Sequence, residues 1–297
     1  MNVDVHAADR RRLQAIAYRM LGSTHDAEDA VSEALVRWHR LPDDDRRQVR
    51  EPVAWLTRVT ARICLDQLRS ARAQREQYSG TWLPEPEIRD LTTCGGPPVD
   101  PADAVTLDES VSFAFLVALE KLTPAERVSF LLHDVFAVPF AEIADVVGRT
   151  PAACRQLATA ARRNLRGQRR QEVPAAERDR VVSAFLDACR GGDLAGLVAV
   201  LDPDVTSVAD GGTRIRVARR PVVGAETVAR YLLGVMAAQR KRLADPVAAV
   251  GTVNGRSGIV VRDGGVIAGT IDLCVVDGRV TELFIQVDPD KLPPEHR

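Results

Sequence analysis

The sequence has few of the residues that build metal sites and disulfide frameworks. Its 297 residues include only five cysteines and five histidines. The cysteines are odd in number, widely spaced and form no Cys-x-x-Cys pair. This pattern argues against a disulfide framework or a zinc finger, and no metal ion or other cofactor is expected. The five are predicted to be buried, reduced thiols: Cys64, Cys94, Cys154, Cys189 and Cys274.

Long apolar runs are also missing. No segment approaches the roughly 18 apolar residues that a membrane span needs, and residues 1–12 lack the apolar core of a signal peptide. Apolar residues make up 45% and charged residues 27% of the chain, which is ordinary for a globular protein in water. We therefore expect a cytoplasmic protein of about two or three domains that contacts no membrane.

Lysine is scarce, so arginine carries nearly all of the positive charge. Lysine occurs only at Lys121, Lys241 and Lys291, whereas lysine and arginine together number 40 and the net charge is −1. Arginine has a planar fork of donors that suits phosphate groups and guanine edges. The places where arginines cluster are therefore the candidate nucleic-acid contacts.

Residues 1–75 are predicted to form an all-α domain, because apolar residues recur there at helical spacing. One predicted helix carries an acidic face, with Asp26 in its first turn and Asp29 and Glu33 one turn apart. Such a face suits a basic partner, although a solvated acidic surface has the same pattern. A later helix that begins near Pro52 carries exposed arginines suited to the DNA backbone. These arginines are Arg58, Arg62, Arg69 and Arg72.

Residues 76–108 read as a linker. They contain five prolines, a Gly95-Gly96 pair and mostly acidic charge, a composition that favours an extended tether over a core. Trp82 is the exception, since a tether offers it nothing to pack on. We expect Trp82 to dock on the third domain; simple disorder is the alternative.

Residues 109–172 are predicted to be helical again, with a helix-turn-helix. Thr123-Pro124 and Glu126 form a capping box at the start of one helix. Gly148 ends a short helix, and Thr150-Pro151 caps the next one. Two helices joined by a short turn that contains glycine are typical of DNA-binding domains.

The last helix of this segment separates into a small-residue inner face and a basic outer face. Arginine and glutamine on an outer face can contact guanine and adenine edges in the major groove. A solvated basic face is the alternative, and the preceding glycine turn favours DNA. The candidate contacts are Arg155, Gln156, Thr159, Arg162, Arg163 and Arg166.

Residues 174–297 change character. Three helical patterns are followed by four strand patterns with turns at Asn254-Gly255, Asp263-Gly264 and Asp277-Gly278, which are hairpin signals. Helices followed by antiparallel strands predict an α+β domain.

Motifs in the two helical domains resemble those of extracytoplasmic-function sigma factors. Ala17-Tyr18-Arg19-Met20-Leu21-Gly22 and Asp26-Ala27-Glu28-Asp29-Ala30-Val31 look like sigma domain two, with Ser32-Glu33 where the family usually has Gln-Glu. Trp55-Leu56 with Asp66-x-x-Arg69-Ser70 resembles its promoter-melting segment. The resemblance implies that Asp26, Asp29 and Glu33 bind the clamp helices of core RNA polymerase, and that the arginines after Pro52 contact the −10 element.

Leu122-Thr123-Pro124-Ala125-Glu126-Arg127 and the helix-turn-helix resemble sigma domain four. This likeness implies that the outer face of the last helix binds the −35 element of promoter DNA.

Three further motifs resemble the sigma factors that carry a C-terminal SnoaL-like (NTF2-type) cone domain. Trp82-Leu83-Pro84-Glu85-Pro86 lies in the linker, and Asp210-Gly211-Gly212 is followed by Thr213 in place of a third glycine. Asp288-Pro289-Asp290-Lys291-Leu292 has aspartate where asparagine is usual. The resemblance implies an alternative sigma factor that this domain regulates in cis.

Two other functions stay open at this point. A helix-turn-helix regulator could act without binding core polymerase, but it would need no separate acidic and arginine-bearing domain. The third domain could instead bind a small ligand or act as a cyclase-like enzyme, which would need an acid/base pair. We expect no enzymatic activity. The available carboxylates are Asp187, Asp202, Asp204, Asp210 and Asp272.

Overall fold

A computed structural model describes residues 7–75, 80–89, 112–166 and 173–293. The described residues divide into two compact units. The first unit contains 7–75 and 115–166, and the second contains 80–89, 112–114 and 173–293. None of the helices in these ranges is long and apolar enough to cross a membrane.

Four helices form the N-terminal part of the first unit. Their order and type agree with the periodicity of the sequence, because the apolar stripes of α1, α2 and α4 face one another in a shared core. Ser23 caps the second helix by accepting a hydrogen bond from the Asp26 amide at 3.1 Å. Trp38 and Trp55 pack in this core with ring centroids 5.2 Å apart. The helices are α1 (Ala7–Leu21), α2 (Thr24–His39), α3 (Asp43–Gln48) and α4 (Pro52–Arg75).

The C-terminal part of the first unit is also helical. Its second helix starts with the predicted capping box, in which the side chains of Thr123 and Glu126 each bond the other residue's backbone amide. A π-helical turn, Leu131–Val135, continues that helix. The helices are α5 (Phe113–Leu119), α6 (Pro124–Phe130), α7 (Phe140–Val147) and α8 (Pro151–Leu165).

Arg127 of α6 joins the two helical domains of this unit. Its side chain is 3% exposed. Its guanidinium donates to the Met20 carbonyl at the end of α1 at 2.8 Å, to Glu120 at 2.7 Å and to the Leu119 carbonyl at 2.6 Å. One buried guanidinium therefore binds hydrogen-bond acceptors from both helical domains. Polar contacts as well as apolar packing hold these two domains together.

The second unit is an α+β domain built on a seven-stranded sheet. The sheet order is β1-β4-β5-β6-β7-β2-β3. The helices are α9 (Ala175–Gly191), α10 (Leu194–Val200) and α11 (Ala225–Arg242). The strands are β1 (Ile88–Arg89), β2 (Leu201–Asp210), β3 (Val222–Val223), β4 (Pro246–Val253), β5 (Arg256–Asp263), β6 (Val266–Val276) and β7 (Arg279–Gln286).

The fold class is confirmed, but the order of helices first and antiparallel strands afterwards is wrong. The strand β2 comes before α11 and pairs with β7 in parallel. Sequence reasoning missed β2 because Asp202, Pro203 and Asp204 interrupt its apolar alternation and read as a turn. The strand forms because Leu201, Val205 and Ala209 are buried against the helices.

One face of the curved sheet packs on the three helices. Leu273 of β6 and Leu283 of β7 lie opposite each other and join Phe185 of α9 and Leu232 of α11 in the core. Neighbouring residues on these strands point to the other face, since side chains alternate along a strand.

The linker is not a bare tether over the residues that the structure describes. Leu83 is fully buried, and β1 pairs with β4 through Ile88 opposite Val253. The amide of Asn254 donates to the Glu87 carbonyl at 2.7 Å. The proline-rich, acidic composition predicted an extended tether. That prediction fails for these residues because a short segment needs no core of its own when another domain supplies one. The rest of the linker lies outside the described residues.

The described cysteines are free thiols. Cys64, Cys154 and Cys189 are buried, as predicted, whereas Cys274 is only partly buried. Cys94 lies outside the described residues.

We predict that Arg127→Met destabilises the helical unit by about 3–5 kcal/mol, because it leaves buried carbonyl groups and Glu120 without their cation. Urea unfolding followed by helical circular dichroism measures this change. Arg37→Met is the matched control, since Arg37 forms a half-exposed pair with Glu33 that is expected to contribute less than about 1 kcal/mol. Equal effects of the two substitutions would contradict the role given to Arg127.

Candidate functional site

The acidic residues of α2 lie on its exposed side. Asp26, Asp29 and Glu33 are all exposed, while Ala27, Ala30 and other residues of the opposite stripe are buried. Glu33 pairs with Arg37 and Asp29 with His25, both one turn apart on the same helix. The face therefore combines carboxylates with local cations and is open to a partner.

The arginines of α4 are divided between internal contacts and solvent. Arg58 forms an ion pair of 2.8 Å with Glu142 of α7, and Arg62 donates to the Asp145 carbonyl at 3.4 Å. Local sequence patterns do not indicate these contacts, because Glu142 and Asp145 are more than 80 residues away from their partners. In this arrangement α7 covers part of the face that was predicted to meet the −10 element.

Arg69 stays on the surface and pairs with Asp66 at 3.2 Å. Arg72 lies within α4, but the structure does not describe the side chains in that part of the helix.

The helix-turn-helix consists of α7, a tight turn and α8. Gly148 ends α7 with a left-handed φ of 72°, a conformation that glycine adopts without strain. Thr150 then accepts a hydrogen bond from the Ala153 amide and caps α8, with Pro151 in its first turn. Cys154, Ala158 and Ala161 are buried, so the small inner face lets α8 pack closely on its neighbours.

The outer face of α8 carries most of the predicted DNA contacts in exposed positions. Arg155 stacks over Phe140 with 5.4 Å between its guanidinium carbon and the ring centroid. Thr159 donates its hydroxyl to the Arg155 carbonyl of its own helix. The exposed residues are Arg155, Gln156, Thr159, Arg163 and Arg166.

Arg162 is only partly exposed, unlike the other five, and forms an ion pair within the helical unit. Its guanidinium binds both oxygens of Asp134 at 2.6 Å, and this bond raises the pKa of Arg162 further. The sequence did not reveal Asp134, which lies in the π-helical turn before α7. Arg162 must give up or share this carboxylate before it can bind a base.

The three motifs of the C-terminal subgroup meet at one place, named here the linker site: Trp82, Leu83, Asp210, Gly212, Gln286, Asp288 and Lys291. Its centre is an ion pair of 2.6 Å between Asp210 and Lys291. Asp210 also accepts the Leu83 amide at 2.8 Å, and Lys291 donates to the Leu83 carbonyl at 2.9 Å. One ion pair thus holds both backbone groups of a single linker residue.

Two further contacts close the linker site around that pair. The Lys291 ammonium lies 4.3 Å from the centre of the Trp82 ring, a cation–π distance. Gln286 donates its side-chain amide to the Leu83 and Pro84 carbonyls. Trp82 therefore docks on the C-terminal domain through the Lys291 cation.

The glycine motif leaves room for the tail. Gly212 has a φ of +61°, and a Cβ there would lie 2.4 Å from the carboxyl of Asp288. A Cβ on Gly211 would lie 2.2 Å from the Ile215 carbonyl oxygen. Asp288 accepts the Asp290 amide across Pro289, and Asp290 pairs with Arg214 at 3.0 Å on the surface.

The buried carboxylate of Asp272 does not make a catalytic centre. Burial raises the pKa of Asp272 to about 6, against the lowering effect of Arg178 and Arg256. Its Oδ2 lies 3.6 Å from a guanidinium nitrogen of Arg178. A general acid or base must reach the substrate, and Asp272 does not line the apolar cavity of this domain. Its arrangement fits a structural ion pair.

The other carboxylates considered for catalysis have separate places. Asp187 is exposed on α9 and faces Arg190 at 3.9 Å. Asp202 accepts the Asp204 amide within β2, and Asp210 belongs to the linker site. No two of them form an acid/base pair in a cavity of the described residues.

An exposed acidic helix, an arginine-bearing helix and a helix-turn-helix together define a multi-domain DNA-binding transcription factor. Residues 6–74 match the family described as Sigma-70 region 2. Residues 112–165 match the family described as Sigma-70, region 4.

Whole-chain relatives extend these matches. The chain is 43% identical over 238 residues to the ECF RNA polymerase sigma factor SigJ of Mycobacterium tuberculosis, covering 80% of this chain and 73% of SigJ. It is 37% identical over 295 residues to a probable ECF sigma factor of that organism, SigI, covering 97% of this chain and 93% of SigI. The crystal structure of M. tuberculosis SigJ matches at 36% identity with a TM-score of 0.73, covering 96% of this chain and 95% of that one.

The chain belongs to the extracytoplasmic-function RNA polymerase sigma factors. It is an alternative sigma factor for transcription initiation that carries a C-terminal α+β domain. This family is not a family of enzymes, and its sigma domains imply core RNA polymerase and promoter DNA as partners. The alternative of a helix-turn-helix regulator that acts without polymerase is wrong.

We predict that Arg155→Ala relaxes promoter selectivity at one −35 base pair by about 1–3 kcal/mol, since a bidentate base contact is lost. Competition binding of the holoenzyme to −35 variants measures the effect. Arg166→Ala is the comparison, because loss of a phosphate contact weakens all sequences alike. Unchanged selectivity in both Arg155→Ala and Arg162→Ala would show that the assigned face is wrong.

Proposed function

We propose that the C-terminal domain regulates this sigma factor in cis by holding the linker between its two sigma domains. The observation that carries the proposal is the capture of both backbone groups of Leu83 by Asp210 and Lys291. The linker connects α4 to α5, so its capture limits how far the two sigma domains can separate. Promoter recognition needs both domains at a set spacing on DNA.

The strength of the capture supports the proposal. The Asp210 side chain is 1% exposed and that of Lys291 is 12% exposed. Breaking a buried pair of this kind from one side costs about 3–5 kcal/mol, because the remaining charge stays buried. Since the linker and the domain belong to one chain, the contact also acts at a millimolar effective concentration.

Contacts inside the helical unit also favour a closed form, meaning one in which the two sigma domains are held against each other. Arg58 and Arg62 of α4 contact α7, which belongs to the helix-turn-helix. The proposed −10 contacts are Arg58, Arg62, Arg69 and Arg72. Phosphate groups of DNA would have to replace Glu142 beside Arg58, so DNA binding and this closed form compete.

The remaining assignments follow the family. Asp26, Asp29 and Glu33 bind the clamp helices of core polymerase, and the outer face of α8 reads the −35 element through the six residues named above. The sigma domains span residues 1–75 and 109–172, with the linker at 76–108 and the regulatory domain at 174–297. We also propose that the protein acts in the cytoplasm and that the regulatory domain has no catalytic role.

We predict that reversal of two charges in Asp29→Lys/Glu33→Lys abolishes co-purification with core polymerase, because the acidic face then repels a basic partner. Co-elution with the core enzyme is the measurement, and helical circular dichroism checks the fold. Asp43→Lys/Asp44→Lys, on the exposed short helix α3, is the charge-matched control. Retained binding by a well-folded Asp29→Lys/Glu33→Lys protein would remove this assignment.

We predict that Lys291→Met releases the linker and raises run-off transcription. Loss of this ion pair should raise the equilibrium ratio of released to bound linker at least about tenfold. Hydrogen exchange of residues 80–89 reports the release. Arg214→Met is the control, because its pair with Asp290 is exposed on both sides. Asp210→Asn/Lys291→Met should recover part of the protection, since no unpaired charge stays buried.

Truncation separates two roles of the domain. Removal of the tail from about Val287 should raise transcription. Removal of everything after about Glu172 should lower it if the domain also sets promoter spacing. Regulation in cis would be refuted if both truncated forms and the full chain transcribed equally well while amide hydrogen exchange of the linker was faster in the truncated forms.

A further inference from the structure

The C-terminal domain contains a partly open apolar cavity that is distinct from the linker site. Its volume is about 310 Å³, which holds roughly ten groups the size of a water molecule. Leu232 and Met236 of α11 form one wall. Val261, Ile271 and Ile285 form the facing wall on the sheet. A pocket of this size and lining suits the apolar body of a small molecule.

The mouth of the cavity is cationic. Arg190, at the end of α9, and Arg240, near the end of α11, both line it and are exposed. Arg190 donates to the Ala248 carbonyl, and Arg240 donates to the Arg190 carbonyl at 3.2 Å. These contacts orient the two guanidinium groups at the rim while each keeps further donors available.

Asp187 lies 3.9 Å from Arg190 on the exposed side of α9, but it does not line the cavity. The described residues that line it include neither aspartate, glutamate nor histidine. Burial raises the pKa of the Cys189 thiol to about 12, so this lining residue is neutral near pH 7. The cavity therefore offers apolar walls and one charged end, and no acid/base pair.

We propose that this cavity binds an amphiphilic carboxylate: an apolar body of about ten carbon-sized groups inside and one carboxylate at the mouth beside Arg190 and Arg240. Burial of the body supplies affinity in proportion to its apolar area. Charge-assisted hydrogen bonds from arginine select the anion over a neutral or cationic head group. The ligand binds and leaves unchanged.

The same strand joins the cavity to the linker site. Ile285 and Val287 line the cavity, whereas Gln286, between them, bonds the linker. The Val287 amide also donates to the Asp210 carbonyl at 2.9 Å. A ligand that shifts Ile285 or Val287 therefore displaces groups that hold Leu83. This second half of the inference rests on the proposed regulation in cis.

Binding is tested with decanoate on the full-length protein, below its micelle concentration, by calorimetric titration. Decan-1-ol and decyltrimethylammonium have the same chain with neutral and cationic heads. We expect saturable binding that is tightest for decanoate. Arg190→Gln and Arg240→Gln should each weaken decanoate about tenfold and leave decan-1-ol unchanged. Arg230→Gln, on the exposed side of α11, is the control.

Met236→Trp fills the cavity and should abolish binding of all three probes while the thermal unfolding midpoint stays near that of the parent protein. Absence of saturable decanoate binding to the parent protein would overturn the inference. Equal affinity for decanoate and decan-1-ol, unaffected by the two arginine substitutions, would overturn the choice of an anion.

Hydrogen exchange of residues 80–89 with and without decanoate tests the coupling. Altered exchange supports it, and unchanged exchange with intact binding refutes the coupling but not the site. The Lys291→Met experiment needs no ligand, so failure of the cavity and failure of regulation in cis give different results.

Discussion

The ion pair between Asp210 and Lys291 organises the C-terminal domain and the chain that it holds. Neither charge would be stable in this buried place without the other. Asp210 also accepts the Leu83 amide, and Lys291 donates to the Leu83 carbonyl. The pair therefore joins the strand end and the tail to the linker. This mutual dependence turns three distant motifs into one site and makes the linker part of the domain's structure.

The helical unit uses arginines internally that a sequence would assign to DNA. Arg58 binds Glu142, and Arg162 binds Asp134. Carboxylates and phosphates compete for the same guanidinium geometry. In the proposed function, phosphate groups of the promoter would replace these carboxylates beside Arg58 and Arg162.

The apolar cavity and the linker site lie on opposite faces of β7. Side chains alternate along a strand, so Ile285 belongs to the cavity and Gln286 to the linker. Because both sites share β7, a shift of this strand at the cavity would also move the side chain that bonds the linker. In the proposed arrangement, the ligand cavity and the regulatory contact share one strand of the C-terminal domain.

Local sequence patterns determined the helices of both sigma domains, the Thr123–Glu126 capping box, the Gly148 turn and the hairpins after Asn254, Asp263 and Asp277. These features depend on residues a few positions apart, which is why periodicity and turn chemistry predicted them. The motifs also identified the family. The tertiary structure alone decided the partners of Arg58, Arg127 and Arg162, the parallel pairing of β2 and the burial of Leu83. Each of these depends on a contact between residues far apart in the chain, and no local pattern specifies which carboxylate or backbone group a charged side chain will find once the fold has closed.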